Sequence, residues 1–238
     1  MAGTSVTINA SDGGSFSAYL AVPDRENAPG LVLMQYICGV NAVMRRLADE
    51  FAADGYLVAV PDLFWRQEPG IQLIDDPSNP DPDQQKRALE LNDGFVDDTA
   101  VEDLKATLSY LREHPGCSGR AGALGYCLGG RTAFLMAARS DSDCTVGYYG
   151  VNIDHYLDEA PSISSPLMLH IAANDELCSA EAHDRIVSTL EGNAHVMLHE
   201  YEGTGHAFAL EGGHNFNPDA ARLANERSAK FLAERLGV

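Results

Sequence analysis

The chain is short of positive charge, of patterned cysteines and of long apolar runs. Among its 238 residues, 16 Lys or Arg stand against 35 Asp or Glu, a formal charge of −19 with histidine neutral. Nucleic acids and anionic membranes are held by basic patches that displace counterions, so neither is expected as a partner. No apolar run approaches the roughly 20 residues that cross a bilayer. The start, MAGTSVTINASDGG, has neither the basic end nor the apolar stretch of a secretory signal, and a cytoplasmic location is expected. Five cysteines, Cys38, Cys117, Cys127, Cys144 and Cys178, are odd in number and show no CxxC or Cys/His ligand spacing. Free thiols are therefore expected, with no disulfide framework and no metal site. What remains, 45% hydrophobic and 21% charged, suits one globular domain over residues 1–238.

The organising stretch is AGALGYCLGGRTAFLMAA, Ala121 to Ala138, in which a small, apolar strand runs through Gly-Tyr-Cys-Leu-Gly-Gly into an apolar helix. Gly125, Tyr126, Cys127, Leu128 and Gly129 form a G-x-C-x-G pattern, a nucleophile elbow with cysteine at its tip. Such a turn is sharp, and side chains on its flanks would meet neighbouring backbone, so glycine is needed on both sides. The turn also sets Cys127 at a helix N-terminus, where the dipole and free N–H groups favour a thiolate and, later, an oxyanion. A lone G-x-C-x-G is equally a tight packing junction, so the rest of the chain must decide.

In chain order, Ser5–Ala10 and Ser15–Val22 alternate around Ser-Asp-Gly-Gly and predict an antiparallel hairpin at one sheet edge. Leu31–Tyr36 reads as a strand buried on both faces, Asn41 as the cap of a helix over Ala42–Asp54, and Leu57–Val60 as the next strand. A Pro/Asp-rich loop from Asp62 to Gln85 is too long for a plain connection and is expected to border a binding site. Ala100–His114 has helical spacing. Further strands are expected at Val146–Tyr149, Pro166–Ala172 and Val196–Tyr201, with helices at Ala180–Leu190 and Asp219–Leu236. This alternation predicts an α/β fold: a mostly parallel sheet with helices on both faces and the ligand site at the carboxyl ends of the strands.

Two chemical groups sit at such ends. Asp175 follows one strand in Ala-Ala-Asn-Asp-Glu, and His206 follows the last in Gly-Thr-Gly-His-Ala-Phe. Nucleophile, acid, histidine is the chain order of α/β-hydrolase triads, and the intervals leave room for one βα unit between successive members. His214 is close enough in sequence to be a second candidate base, and Cys38, Cys144 and Cys178 lack an elbow.

On these residues the sequence resembles the dienelactone hydrolase family of cysteine-dependent α/β-hydrolases. The resemblance runs over nearly the whole chain. It includes Gly39-Val-Asn, Gly55-Tyr, Pro61-Asp-Leu-Phe, Gly125-Tyr-Cys-Leu-Gly-Gly, Gly147-Tyr-Tyr-Gly, Asp175, Gly205-His-Ala-Phe and Leu223-Ala-Asn-Glu-Arg. It implies hydrolysis of an unsaturated lactone by a Cys127-His206-Asp175 triad, with an oxyanion hole of the backbone N–H groups of Leu128 and Ile37. Two departures stand out. Tyr36 occupies the place of a glutamate that, in the founding members, contacts the resting thiol and helps to activate it. Two arginines that clamp the lactone's carboxylate there correspond here to Gln85 and Leu210, with Lys86 and Arg87 as the nearby cations able to compensate.

The expected activity is therefore cleavage of a carboxylic ester or lactone through a thioester at Cys127, with no metal or organic cofactor. Large residues near the expected mouth, Tyr36, Phe64, Trp65, Tyr149 and Phe208, predict an apolar or aromatic pocket for neutral small molecules. Two alternatives are a true carboxymethylenebutenolidase acting on an anionic lactone and, from another class, a thiol redox sensor pairing Cys127 with Cys38 or Cys178. A monomer or homodimer is expected.

Overall fold

The computed structural model describes residues 3–238. Its strands are β1 Thr4–Asn9, β2 Ser15–Ala21, β3 Ala28–Met34, β4 Leu57–Pro61, β5 Cys117–Tyr126, β6 Thr145–Tyr148, β7 Leu167–Ala172 and β8 Val196–Tyr201. They form one eight-stranded sheet in the order β1-β2-β4-β3-β5-β6-β7-β8. The hairpin β1–β2 and the β2–β4 pair are antiparallel, and every later neighbour is parallel. Helices α1 Ala42–Ala53, α2 Pro82–Asp93, α3 Asp97–Glu113, α4 Leu128–Arg139, α5 Ala180–Leu190 and α6 Pro218–Leu236 complete the chain, with a 3-10 segment at Ile153–Ser162. This is the α/β-hydrolase fold. Among the described residues, no helix is long and apolar enough to cross a membrane.

Every residue of β3, β4 and β6 is buried, which explains why these strands read as unbroken apolar runs rather than as alternations. Their side chains nevertheless divide by the two-residue strand period. Val32 and Met34 pack with Leu104, Leu108 and Leu111 of α3 and Phe134 of α4. Leu31 and Leu33 face the other way, onto Met44 and Ala48 of α1 and Phe231 and Leu232 of α6. Burying each such large side chain contributes about 1.5–3 kcal/mol, so the two helix layers fix the sheet from both sides.

The connection after β4 differs from its expectation at one end. Asp81 accepts from the backbone N–H groups of Asp83 and Gln84, and Pro82 stands at the first helical position, so α2 starts at Pro82 and the loop ends before Gln85. Lys86 and Arg87 thus lie inside a helix. The loop itself is tied to the turn after β3. The Leu73 N–H donates to the Cys38 carbonyl at 2.9 Å, and the Asn41 amide donates to the carbonyls of Leu73 and Ile74 at 2.8 and 3.0 Å. Asn41 also accepts from the Met44 N–H as the cap of α1. One buried asparagine therefore joins helix start, loop and strand end.

Candidate active site

Between β5 and α4 the chain reverses at Cys127, whose φ of 56° and ψ of −110° lie where a residue with a side chain rarely sits. Holding such a conformation costs about 1–3 kcal/mol and persists only where the surroundings impose it. They do so through glycine. A Cβ on Gly125 would collide with the backbone of Gly129, and one on Gly129 with the carbonyl of Met34. The Cys127 N–H donates to the Tyr148 carbonyl at 3.0 Å, and the Arg131 N–H closes the first helical turn onto the Cys127 carbonyl at 3.1 Å. The thiol is left at the head of α4, partly exposed.

The acid and base arrive from the far side of the sheet. Asp175 follows β7 and His206 follows β8. His206 Nδ1 lies 2.9 Å from Asp175 Oδ2, both side chains being about nine-tenths buried or more at 10% and 6% exposure. A carboxylate only accepts, so Nδ1 carries the proton and Nε2 is left free on the side of the cleft that Cys127 shares. The other Asp175 oxygen accepts from the Leu177 N–H at 2.8 Å, which fixes the carboxylate. Burial pulls the imidazole pKa down, but the hydrogen bond to Asp175 and the nearness of Cys127 outweigh it and push it up to about 10.

Beside this line, the backbone N–H groups of Leu128 and Ile37 have no acceptor among the described residues. Free backbone donors near a thiol are chemically able to receive a developing oxyanion. The Glu176 carboxylate accepts from the His206 backbone N–H at 3.0 Å and from the Asn215 amide at 2.8 Å, while Asn215 also donates to the His206 carbonyl. Burial pushes the Glu176 pKa up, but these hydrogen bonds prevail and hold it below its ordinary value. The loop needs this support, because Ala207 next to the histidine has a φ of 62°.

Cys127 and His206 border a cleft of about 530 Å³, while Asp175 stands behind the His206 ring and does not line it. Its lining includes Tyr36, Ile37 and Cys38, the apolar side chains of Met44, Leu47, Ile74 and Leu89, and Tyr149, Leu177 and Leu210. Among the described residues lining it there is no Lys or Arg. Gln85 and Leu210 both reach it, so uncharged side chains occupy the two places where an arginine clamp was sought.

Comparison with known proteins places the chain in a family. The family model described as the dienelactone hydrolase family matches residues 16–236. The chain belongs to the dienelactone hydrolase family. It is 45% identical over 245 residues to a provisionally named carboxymethylenebutenolidase of Azospirillum brasilense, an alignment covering 98% of this chain and all of that one. It is 38% identical over 228 residues to the carboxymethylenebutenolidase of Pseudomonas putida, covering 96% of this chain and 95% of the relative. A provisionally named dienelactone hydrolase from Klebsiella pneumoniae superposes with a TM-score of 0.82 at 24% identity, covering 98% of each chain.

Within the family frame, the sequence-derived substrate residues divide. Tyr36 and Tyr149 line the cleft, Tyr149 also meeting the His206 ring at 5.2 Å between centroids. Trp65 does not reach it. Its indole N–H donates to buried Asp103 at 2.8 Å and its ring stacks on Phe16, beneath the N-terminal hairpin. Phe64 is fully buried against Phe95, and Phe208 is fully buried between Tyr149 and Tyr201, behind the cleft wall. Arg87 turns to Glu68 and Glu90, and Lys86 points to solvent near Glu90, because the helix register set at Pro82 faces both away from the mouth. Glu176 and Asn215 are site residues that no local sequence pattern marks, although Glu176 adjoins Asp175.

Proposed function

We propose that this protein hydrolyses small, uncharged carboxylic esters or lactones through a thioester on Cys127. The observation that carries the reading is the His206 imidazole, fixed by Asp175 through Nδ1 at 2.9 Å and bordering the same cleft as Cys127 at the tip of its strained turn. In this reading the proton of the Cys127 thiol passes to His206, so no carboxylate at position 36 is needed to accept it.

The thiolate sulfur attacks the carbonyl carbon, and the carbonyl oxygen becomes an oxyanion between the N–H groups of Leu128 and Ile37, each such donor being worth about 3 kcal/mol of barrier. As the tetrahedral intermediate collapses, His206 Nε2 gives its proton to the departing alkoxide oxygen and the acyl group remains on sulfur. Neutral His206 then takes a proton from water, whose oxygen attacks the thioester carbon. Collapse of that second intermediate expels the Cys127 thiolate and releases the acid, and the ion pair is restored. Asp175 keeps Nδ1 protonated throughout and balances the imidazolium charge.

The cleft supports an uncharged substrate of modest size. Its volume is in the range of small-molecule sites, its walls are mostly apolar, and Glu176 is an acid on its rim. A second reading draws on the Pseudomonas putida relative's name: a carboxymethylenebutenolidase acting on an anionic lactone. The test is intact-protein mass spectrometry during turnover of a short acyl ester. An acyl adduct on the wild type, absent in Cys127→Ala, is expected; turnover with no adduct and an active Cys127→Ala would refute the thioester.

A further inference from the structure

Tyr36 has a hydroxyl whose roles in hydrogen bonding are decided by its neighbour. The Asn41 side-chain oxygen accepts from the Met44 N–H, which fixes the orientation of the amide and makes its nitrogen the donor at 2.7 Å to the Tyr36 hydroxyl. The two amide hydrogens are shared among three acceptors, the Tyr36 hydroxyl and the carbonyls of Leu73 and Ile74, and the amide nitrogen can accept nothing in return. The phenol oxygen is thus an acceptor from Asn41, and its own proton must point elsewhere. Among the described residues it has no acceptor, while the side chain lines the cleft. Burial first, and then the proximity of Cys38, hold the phenol pKa well above its ordinary value against the opposing bond from Asn41, so the proton stays on oxygen at neutral pH.

The strand order says which part of a substrate meets this donor. Tyr36 follows β3, Cys127 follows the adjacent β5, and His206 follows β8 beyond it on the other side. The bond that breaks must face His206, which protonates the departing oxygen. The acyl remainder therefore extends toward β3 and Tyr36.

Resting on the hydrolysis reading above, we propose that Tyr36 is a specificity-determining residue that donates a hydrogen bond to an oxygen on the acyl side of the substrate, next to the scissile carbonyl. The substrates favoured are then uncharged esters or lactones of 2-alkoxy, 2-hydroxy or 2-oxo acids. A substrate with only methylene at that place would leave the buried phenol proton without a partner once water is displaced, and a site built to bond an oxygen discriminates against its absence.

The probes are 4-nitrophenyl methoxyacetate and 4-nitrophenyl butanoate, which differ by oxygen in place of one methylene. Tyr36→Phe should lower the ratio of kcat/KM on the methoxyacetate to that on the butanoate about tenfold, the methoxyacetate losing its hydrogen bond while the butanoate is no longer penalised by a stranded phenol proton. A ratio that stays the same or rises overturns the proposal. Should Tyr36→Phe not fold, the wild type still tests it: its preference for the methoxyacetate should exceed the preference of hydroxide ion for the same ester by about tenfold, and equality overturns it. Cys127→Ala, run beside these, separates the two readings. Activity surviving in that variant refutes the thioester mechanism, whereas its loss, with no Tyr36 discrimination, refutes only the role of Tyr36.

Discussion

The carboxylate of Glu176 accepts from the backbone N–H of His206 at 3.0 Å, so two successive acids grip one histidine, Asp175 by its ring and Glu176 by its main chain. Glu176 touches no reacting atom and is a positioning residue. Glu176→Ala should lower kcat about tenfold, the size of one lost charge-assisted hydrogen bond, while Glu176→Gln restores part of it through the bond to the His206 N–H. Steady-state kinetics decide the matter. Equal kcat in the alanine variant and wild type would show that the loop needs no such hold.

Cys127→Ala should abolish turnover by roughly 10⁶-fold, as expected for a lost nucleophile, and leave thermal stability nearly unchanged. Cys127→Ser should be far slower than wild type, since a hydroxyl is a much weaker acid than a thiol and gives up its proton to His206 less readily. Serine and cysteine enzymes of equal rate would contradict a mechanism built on a thiolate.

How much of this was readable in the chain depends on how local each cause is. The elbow was legible because its glycines answer to backbone collisions within a few residues, at Gly125 and Gly129. The places of Asp175 and His206 were legible because strand ends follow from apolar runs. Trp65 was not: an indole beside a Pro/Asp-rich loop looks like a mouth residue until Asp103 and Phe16, distant in sequence, claim it. Lys86 and Arg87 were misplaced by the helix start at Pro82, which sets the direction of every later side chain. The hold of Asn41 on Tyr36 joins residues five apart, yet it depends on where the Leu73–Ile74 carbonyls come to rest.

His206 carries a pH signature. Its folded pKa is raised to about 10 from an unfolded value of about 6.5, so the stability it contributes is fully present below pH of about 6.5 and is lost as pH rises through about 10. The gap in Tm between wild type and His206→Ala should therefore be widest in mild acid and shrink steadily toward pH 10. A gap that widens with pH would mean that the ring is neutral at rest. Asp175→Asn should cost about 10⁴ in kcat by favouring the wrong tautomer, and combining it with His206→Ala should add little to His206→Ala alone.

Substrate charge is the remaining test, and it turns on where the cations point. A free carboxylate entering the cleft must shed water, and a charge-assisted hydrogen bond worth about 1.5–3 kcal/mol would be needed to compensate. Gln85 and Leu210 supply none of that kind, no Lys or Arg is among the described lining residues, and Glu176 adds repulsion. Arg87 is engaged with Glu68 and Glu90, and Lys86 stands in solvent at 77% side-chain exposure. A dienelactone with its carboxylate and the matched methyl ester form the comparison, by kcat/KM at low and moderate salt. The methyl ester should be preferred by about tenfold or more, the equivalent of one missing compensating bond, and the preference should narrow as salt screens the chain's negative field. Lys86→Met and Arg87→Met should leave the ratio unchanged. A preference for the carboxylate form that weakens with salt and disappears in either variant would place a cation at the mouth and make the anionic lactone the substrate.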